Sequence, residues 1–172
     1  MRASGAFSTA IGIFWQLKAR ARINGMQKEI LLEILKQNQF TSHFSLDQVS
    51  EDNASLRLNP KTASIGFIFR HIGETMNLFA QFFGIPTEVK NTTIGQTDNG
   101  QECNVEYSRE LVSKGYGVLK DIVEASADED WLKPVDTPFF GTVSRIRLFV
   151  HVLFHNSHHV GQISMTLAKG RN

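Results

Sequence analysis

The chain has 172 residues, enough for one domain with a sizeable core. Its 18 Lys and Arg against 17 Asp and Glu form no basic stripe interleaved with aromatics, so nothing supports nucleic-acid binding. The single cysteine, Cys103, excludes an intramolecular disulfide and a cysteine-rich metal site, and fits a reducing, cytoplasmic compartment.

Cys103 sits in the polar stretch NGQECNVE and reads as an exposed, unreactive thiol. The sequons at Asn53 (NAS) and Asn91 (NTT) are short matches of a kind that arises by chance. Residues 1–25 lack any acidic side chain and carry Arg2, Lys18, Arg20 and Arg22. Their apolar part, residues 6–17, is too short to span a bilayer, and no small-residue cleavage site follows it. A transit peptide is compositionally compatible. The simpler expectation is a bundle domain over residues 26–172 preceded by an N-terminal extension, with no membrane span.

Four helical segments are predicted. The first covers about residues 26–49, with Ile30, Ile34, Phe40, Phe44 and Leu46 as its apolar contacts, and SEDNASLRLNPKTAS ends it at Pro60. The second covers about residues 63–83, where Ile65, Ile68, Ile72, Met76, Phe79 and Phe83 recur at helical spacing before Gly84 and Pro86 stop it. A polar linker over residues 85–103 follows, either a solvated crossover or a lid. The third covers about residues 104–125, with Leu111, Tyr116, Leu119, Ile122 and Val123 on one face. ADEDWLKP reads as a short helical turn under Trp131, and PVDTPFFGT as a loop. The fourth helix covers about residues 143–168 and closes at Gly170. No strand alternation or repeat is evident. A short first connection makes helices one and two antiparallel, while the long linker allows helices two and three to run parallel. The expected fold is an all-α four-helix bundle in up-down-down-up order.

Four of the six histidines crowd one stripe of the last helix, in the run LFVHVLFHNSHHVGQISMTLAKG. His155 and His159 are one turn apart, and so are His151 and His155; either pair could bind a metal with little backbone rearrangement. His71 lies beside Phe67, Ile68, Thr75 and Leu78 on the second helix and points inward, as a core histidine or as a third ligand. His43 has no site-like surroundings. Glu74 is a carboxylate near the site or a solvent-facing residue, Gln162 lies one turn beyond His159, and Gly161 permits close helix packing.

SIGFIFRHIGE and HNSHHVGQ, together with TPFFGTVSR, resemble the DinB/YfiT-like family of metal-dependent four-helix-bundle proteins over about residues 26–170. The resemblance implies that His71, His155 and His159 bind a divalent transition metal, zinc or nickel first among them. His158 and His151 then support or pack beside the ligands. The family usually carries a basic residue after the HH pair, where this chain has Val160, which removes a positive charge from beside the metal. Family members imply a metalloenzyme of thiol S-transferase or hydrolase type acting on a small molecule, with a low-molecular-weight thiol as partner and a homodimer as assembly. Asn156 stands where an HExxH protease would have its base, which argues against a peptidase. Catalytic residues beyond the ligands are not assigned. A non-catalytic, stress-related metal-binding bundle is the alternative, and an apo module with buried histidines a third.

Overall fold

The computed structural model describes residues 5–101 and 104–171, with side chains from Met26 onward; Cys103 lies outside the described residues. Four helices carry the fold: α1 (Gly5–Leu46), α2 (Ile65–Phe79), α3 (Val105–Ala125) and α4 (Arg145–Lys169). The last three begin at side-chain caps, where Ser64, Asn104 and Ser144 accept hydrogen bonds from Phe67 N, Tyr107 N and Arg147 N. α2 tightens into a 3-10 turn, Ala80–Phe83, and stops at Gly84, whose φ of 85° suits a residue without Cβ.

Neighbouring residues give the helix directions. Arg70 bonds Ser108, Gly73 faces Leu111, and Gly115 faces Met76, so α2 and α3 run parallel. Lys28 reaches Glu124 while Arg109 reaches Val49, so α1 opposes α3; His71 meets His155 while Phe79 meets His151, so α4 opposes α2. The order is up, down, down, up. Parallel packing of consecutive helices requires the connection to return along α2. Residues 85–101 do so, and are anchored twice. Thr92 and Thr93 bond Glu74 in mid-helix, and Asp98 takes the backbone and hydroxyl of Ser64 at the N-terminus, also pairing with Arg57 at 2.8 Å.

The structure departs from the sequence reading in four places. Helix one starts at Gly5, so its backbone continues through much of the segment taken as an extension. Its core face is Leu31, Leu35, Asn38, Ser42 and Leu46, whereas Ile30, Ile34, Phe40 and Phe44 are 46–64 % exposed. α1 has apolar stripes on opposite sides, and hydrophobic spacing alone cannot choose between them. The stripe that wins is the one whose polar members find partners: Asn38 donates to Leu153 O and Ser157 Oγ, and Tyr116 Oη contacts Asn38 Oδ1 and Ser42 Oγ. PVDTPFFGT is a hairpin, β1 (Pro134–Thr137) against β2 (Gly141–Ser144), with Val135 opposite Val143 and Gly141 at φ 63°. Strands of four residues are too short to show alternation. Because Val143 is in β2, α4 starts two residues later than predicted. Trp131 does sit buried beside its short helical turn, against Phe149 at 5.4 Å.

Gly73, like Gly115, lies where α2 and α3 are in close contact. A Cβ at Gly73 would lie 2.7 Å from Leu111 Cβ and 3.1 Å from Val112 N, which cannot swing aside. An ordinary helical Gly→Ala change gains about 1 kcal/mol from propensity. Gly73→Ala should instead destabilise by about 1–3 kcal/mol through overpacking, read as a lower urea midpoint; a raised midpoint would show the helices can part.

Candidate metal centre

The antiparallel α2–α4 pair brings three of the predicted residues together. His155 and His159 project from successive turns of α4 toward His71 on α2. His71 Nε2 and His155 Nε2 are 3.0 Å apart, and the ring centroids of His159 lie 4.8 Å from His71 and 4.3 Å from His155. One ligand nitrogen from each falls within 4.8 Å of the others, and all three rings are half-buried. His43 pairs with Asp47 on the surface.

Two of the rings are held by their Nδ1 atoms. His159 Nδ1 lies 2.6 Å from Gln162 Oε1, an acceptor, so Nδ1 carries the proton and Nε2 keeps its lone pair. His71 Nδ1 lies 3.2 Å from Thr93 Oγ1. Glu74 does not face solvent. It is 1 % exposed, its Oε2 accepts from Thr92 N, Thr93 N and Thr93 Oγ1, and its Oε1 accepts from Thr92 Oγ1. Thr93 therefore stands between the buried carboxylate and the imidazole. Sequence reading missed this residue altogether, because Asn91-Thr92-Thr93 was visible only as a sequon.

Burial keeps the imidazoles neutral. Desolvation, then repulsion from His159, lowers His71 from 6.5 to about 4, with Glu74 pulling weakly the other way. Desolvation followed by repulsion from His159, His71 and His151 takes His155 to about 3. His159 and His151 are also lowered, in each case chiefly by desolvation. Neutral imidazole is the metal-binding form.

The cluster has an apolar surround on two sides. His151 stacks on Phe79 at 5.9 Å and meets Phe140 edge-on at 4.4 Å, while Phe139 stacks on Phe79 at 5.4 Å. The hairpin thus brings Phe139 and Phe140, half of whose surface is free, beside the histidine stripe; the aromatic pair before Gly141 was the available signal. On the other side a cavity of about 450 Å³ is lined by Leu58, Ile68, His158, Gln162 and Met165. Gly161 opens into this cavity and touches no neighbouring helix, contrary to the packing role expected of it.

A helical bundle with a half-buried cluster of three neutral imidazoles between two helices is the class that this fold and site define. The sequence profile of the DinB superfamily matches residues 34–163, and the chain belongs to that family. No curated protein matches it. Among solved structures, a DinB-like protein from Bacillus cereus is similar at a TM-score of 0.67 and 16% identity, over 83% of this chain and 93% of that one. YfiT from Bacillus subtilis, described as a probable metal-dependent hydrolase with an unusual four-helix bundle topology, is similar at 0.64 and 10%, over 83% and 87%. A conserved protein from Enterococcus faecalis is similar at 0.61 and 14%, over 82% and 97%. No described helix is long and apolar enough to cross a membrane.

The lowered imidazole pKa values have a sign that can be checked on metal-free protein. Below 6.5 the unfolded chain binds protons that folded His71 and His155 refuse until about 4 and about 3. Stability should be flat above pH 6.5 and fall as pH drops from 6.5 toward those values. Urea midpoints in chelator should decrease from pH 7 to pH 5, less steeply in His155→Leu; equal midpoints across that range would mean the rings titrate as if exposed.

Proposed function

We propose that His71, His155 and His159 hold one divalent transition metal, zinc or nickel, in a metalloenzyme of hydrolase or thiol S-transferase type. The observation that carries this reading is the convergence of three neutral imidazoles from two helices, two of them with Nδ1 already engaged. Three histidines leave a cation a free position for water or substrate. A cation there would supply Lewis acidity, favouring the deprotonated form of water or a thiol at neutral pH. The chain's own residues do the rest. Thr93 and Gln162 orient the rings, and Phe139, Phe140 and the cavity beside Gln162 offer apolar surface to a small-molecule substrate. A low-molecular-weight thiol is the co-substrate in the transferase form of this reading. YfiT's description as a metal-dependent hydrolase supports the hydrolase form. A cytoplasmic setting fits the lone cysteine.

A second reading is favoured by the placement of the ligands on both α2 and α4. There a cation ties the two helices together without catalysis, in a stress-related binding protein. The readings part on chelation: a stapling ion raises the melting temperature strongly and supports no turnover of thiol or ester panels, whereas a catalytic one supports turnover that His71→Ala abolishes without unfolding the chain.

The outer stripe of α1, Met26, Ile30, Ile34, Phe40 and Phe44, is the face we assign to a homodimer. A two-fold axis at Gln37 sets Ile30 against Phe44 and Ile34 against Phe40 of a second copy, a self-complementary pairing.

Elemental mass spectrometry of untagged protein should find close to one equivalent of transition metal, lost in His71→Ala and in His159→Ala. No metal after incubation with zinc or nickel would end both metal readings. Light scattering should show a dimer that Phe44→Glu converts to monomer; a monomeric wild type would remove the α1 interface.

A further inference from the structure

We infer that Thr93, from the crossover, is a positioning residue that sets the tautomer of His71 and so its readiness to bind metal. The inference rests on the reading of His71 as a ligand. A hydroxyl has one proton to donate. Thr93 Oγ1 gives it to Glu74 Oε2 at 2.7 Å, and that oxygen also accepts from Thr92 N and Thr93 N, so it acts as an acceptor. Toward His71, Thr93 Oγ1 can then only accept. Nδ1, 3.2 Å away, must carry the hydrogen, which leaves the Nε2 lone pair facing His155 and His159. Glu74 therefore acts on His71 through Thr93, not by contact. In the metal-free protein the 3.0 Å contact between the Nε2 atoms follows: His155 Nε2–H donates to His71 Nε2.

Thr92 provides the internal control. Its hydroxyl also bonds Glu74, at 2.5 Å, and helps fix the crossover, but no bond of it to His71 accompanies that contact. Removing either hydroxyl loosens the loop by one bond to the same carboxylate. Only the loss at Thr93 frees the ring of His71.

Two readouts on the full chain test this: imidazole ¹⁵N tautomer spectra of metal-free protein, and zinc affinity by competition with a chromophoric chelator. Wild type, Thr93→Ser and Thr92→Val should show His71 as the Nδ1–H tautomer and bind zinc alike. Thr93→Val and Thr93→Ala should lose that tautomer preference and bind zinc about 10–100-fold more weakly, as losses of ligand-orienting groups do. The inference is overturned if both hydroxyl-free variants keep the wild-type tautomer or the wild-type affinity, or if Thr92→Val falls as far. A wild type that binds no zinc would sink the metal reading alone, since the tautomer spectra still decide the role of Thr93.

Discussion

A carboxylate sealed inside a helical bundle is tolerable only if donors surround it, and Glu74, in the middle of α2, finds them on Thr92 and Thr93. That requirement fixes where the crossover passes. It must lie against α2 at the height of Glu74 and then continue to Ser64, where Asp98 closes the helix N-terminus. The chain reaches α3 at the end where α2 began, which makes the two helices parallel. Gly73 and Gly115 let them approach until the backbone of one meets the side chains of the other. With that flank of α2 filled, α4 takes another, and the histidines of α4 come opposite His71.

Much of this was legible in the residues. The core face of α3 follows from its apolar spacing, because that helix has one apolar stripe and one polar side. On α2 the spacing picked out apolar core residues but not the burial of Glu74, Thr75 and Asn77, since that helix is covered on almost every side. α1 shows where such reasoning stops. It carries two stripes, and the buried one includes Asn38 and Ser42, which look like surface residues until Tyr116 and Leu153 supply their partners. The hairpin was illegible because four residues per strand, one of them proline, give no period to detect. For the site, the i,i+4 spacing on α4 identified a pair but not which pair; His71 joins His155 and His159 only through tertiary contact. Thr93 carried no signal, since its meaning depends on a carboxylate 19 residues earlier in the chain.

The electrostatic character of the site comes from its neighbours. Desolvation is the leading cause of every lowered histidine pKa, with repulsion from neighbouring rings added for His71, His155 and His159. Aromatic rings on the hairpin side and apolar residues on the cavity side keep the effective dielectric low, which strengthens any charge interaction formed there. Glu74 is close enough to offset a little of the penalty at His71, yet its oxygens are committed to the crossover. The cluster thus remains neutral donors, not a charged relay.

His71 and His155 meet across 84 positions of sequence. Like the contact of Asn38 with Leu153, this one forms only when distant segments of the chain are brought together, at a cost in loop-closure entropy. The trio therefore exists only once α2 and α4 have docked, and the disordered chain offers no preformed equivalent. A ligand of this cluster recognises the finished fold and draws the folding equilibrium toward it by mass action. It cannot serve as the seed around which the chain first collapses.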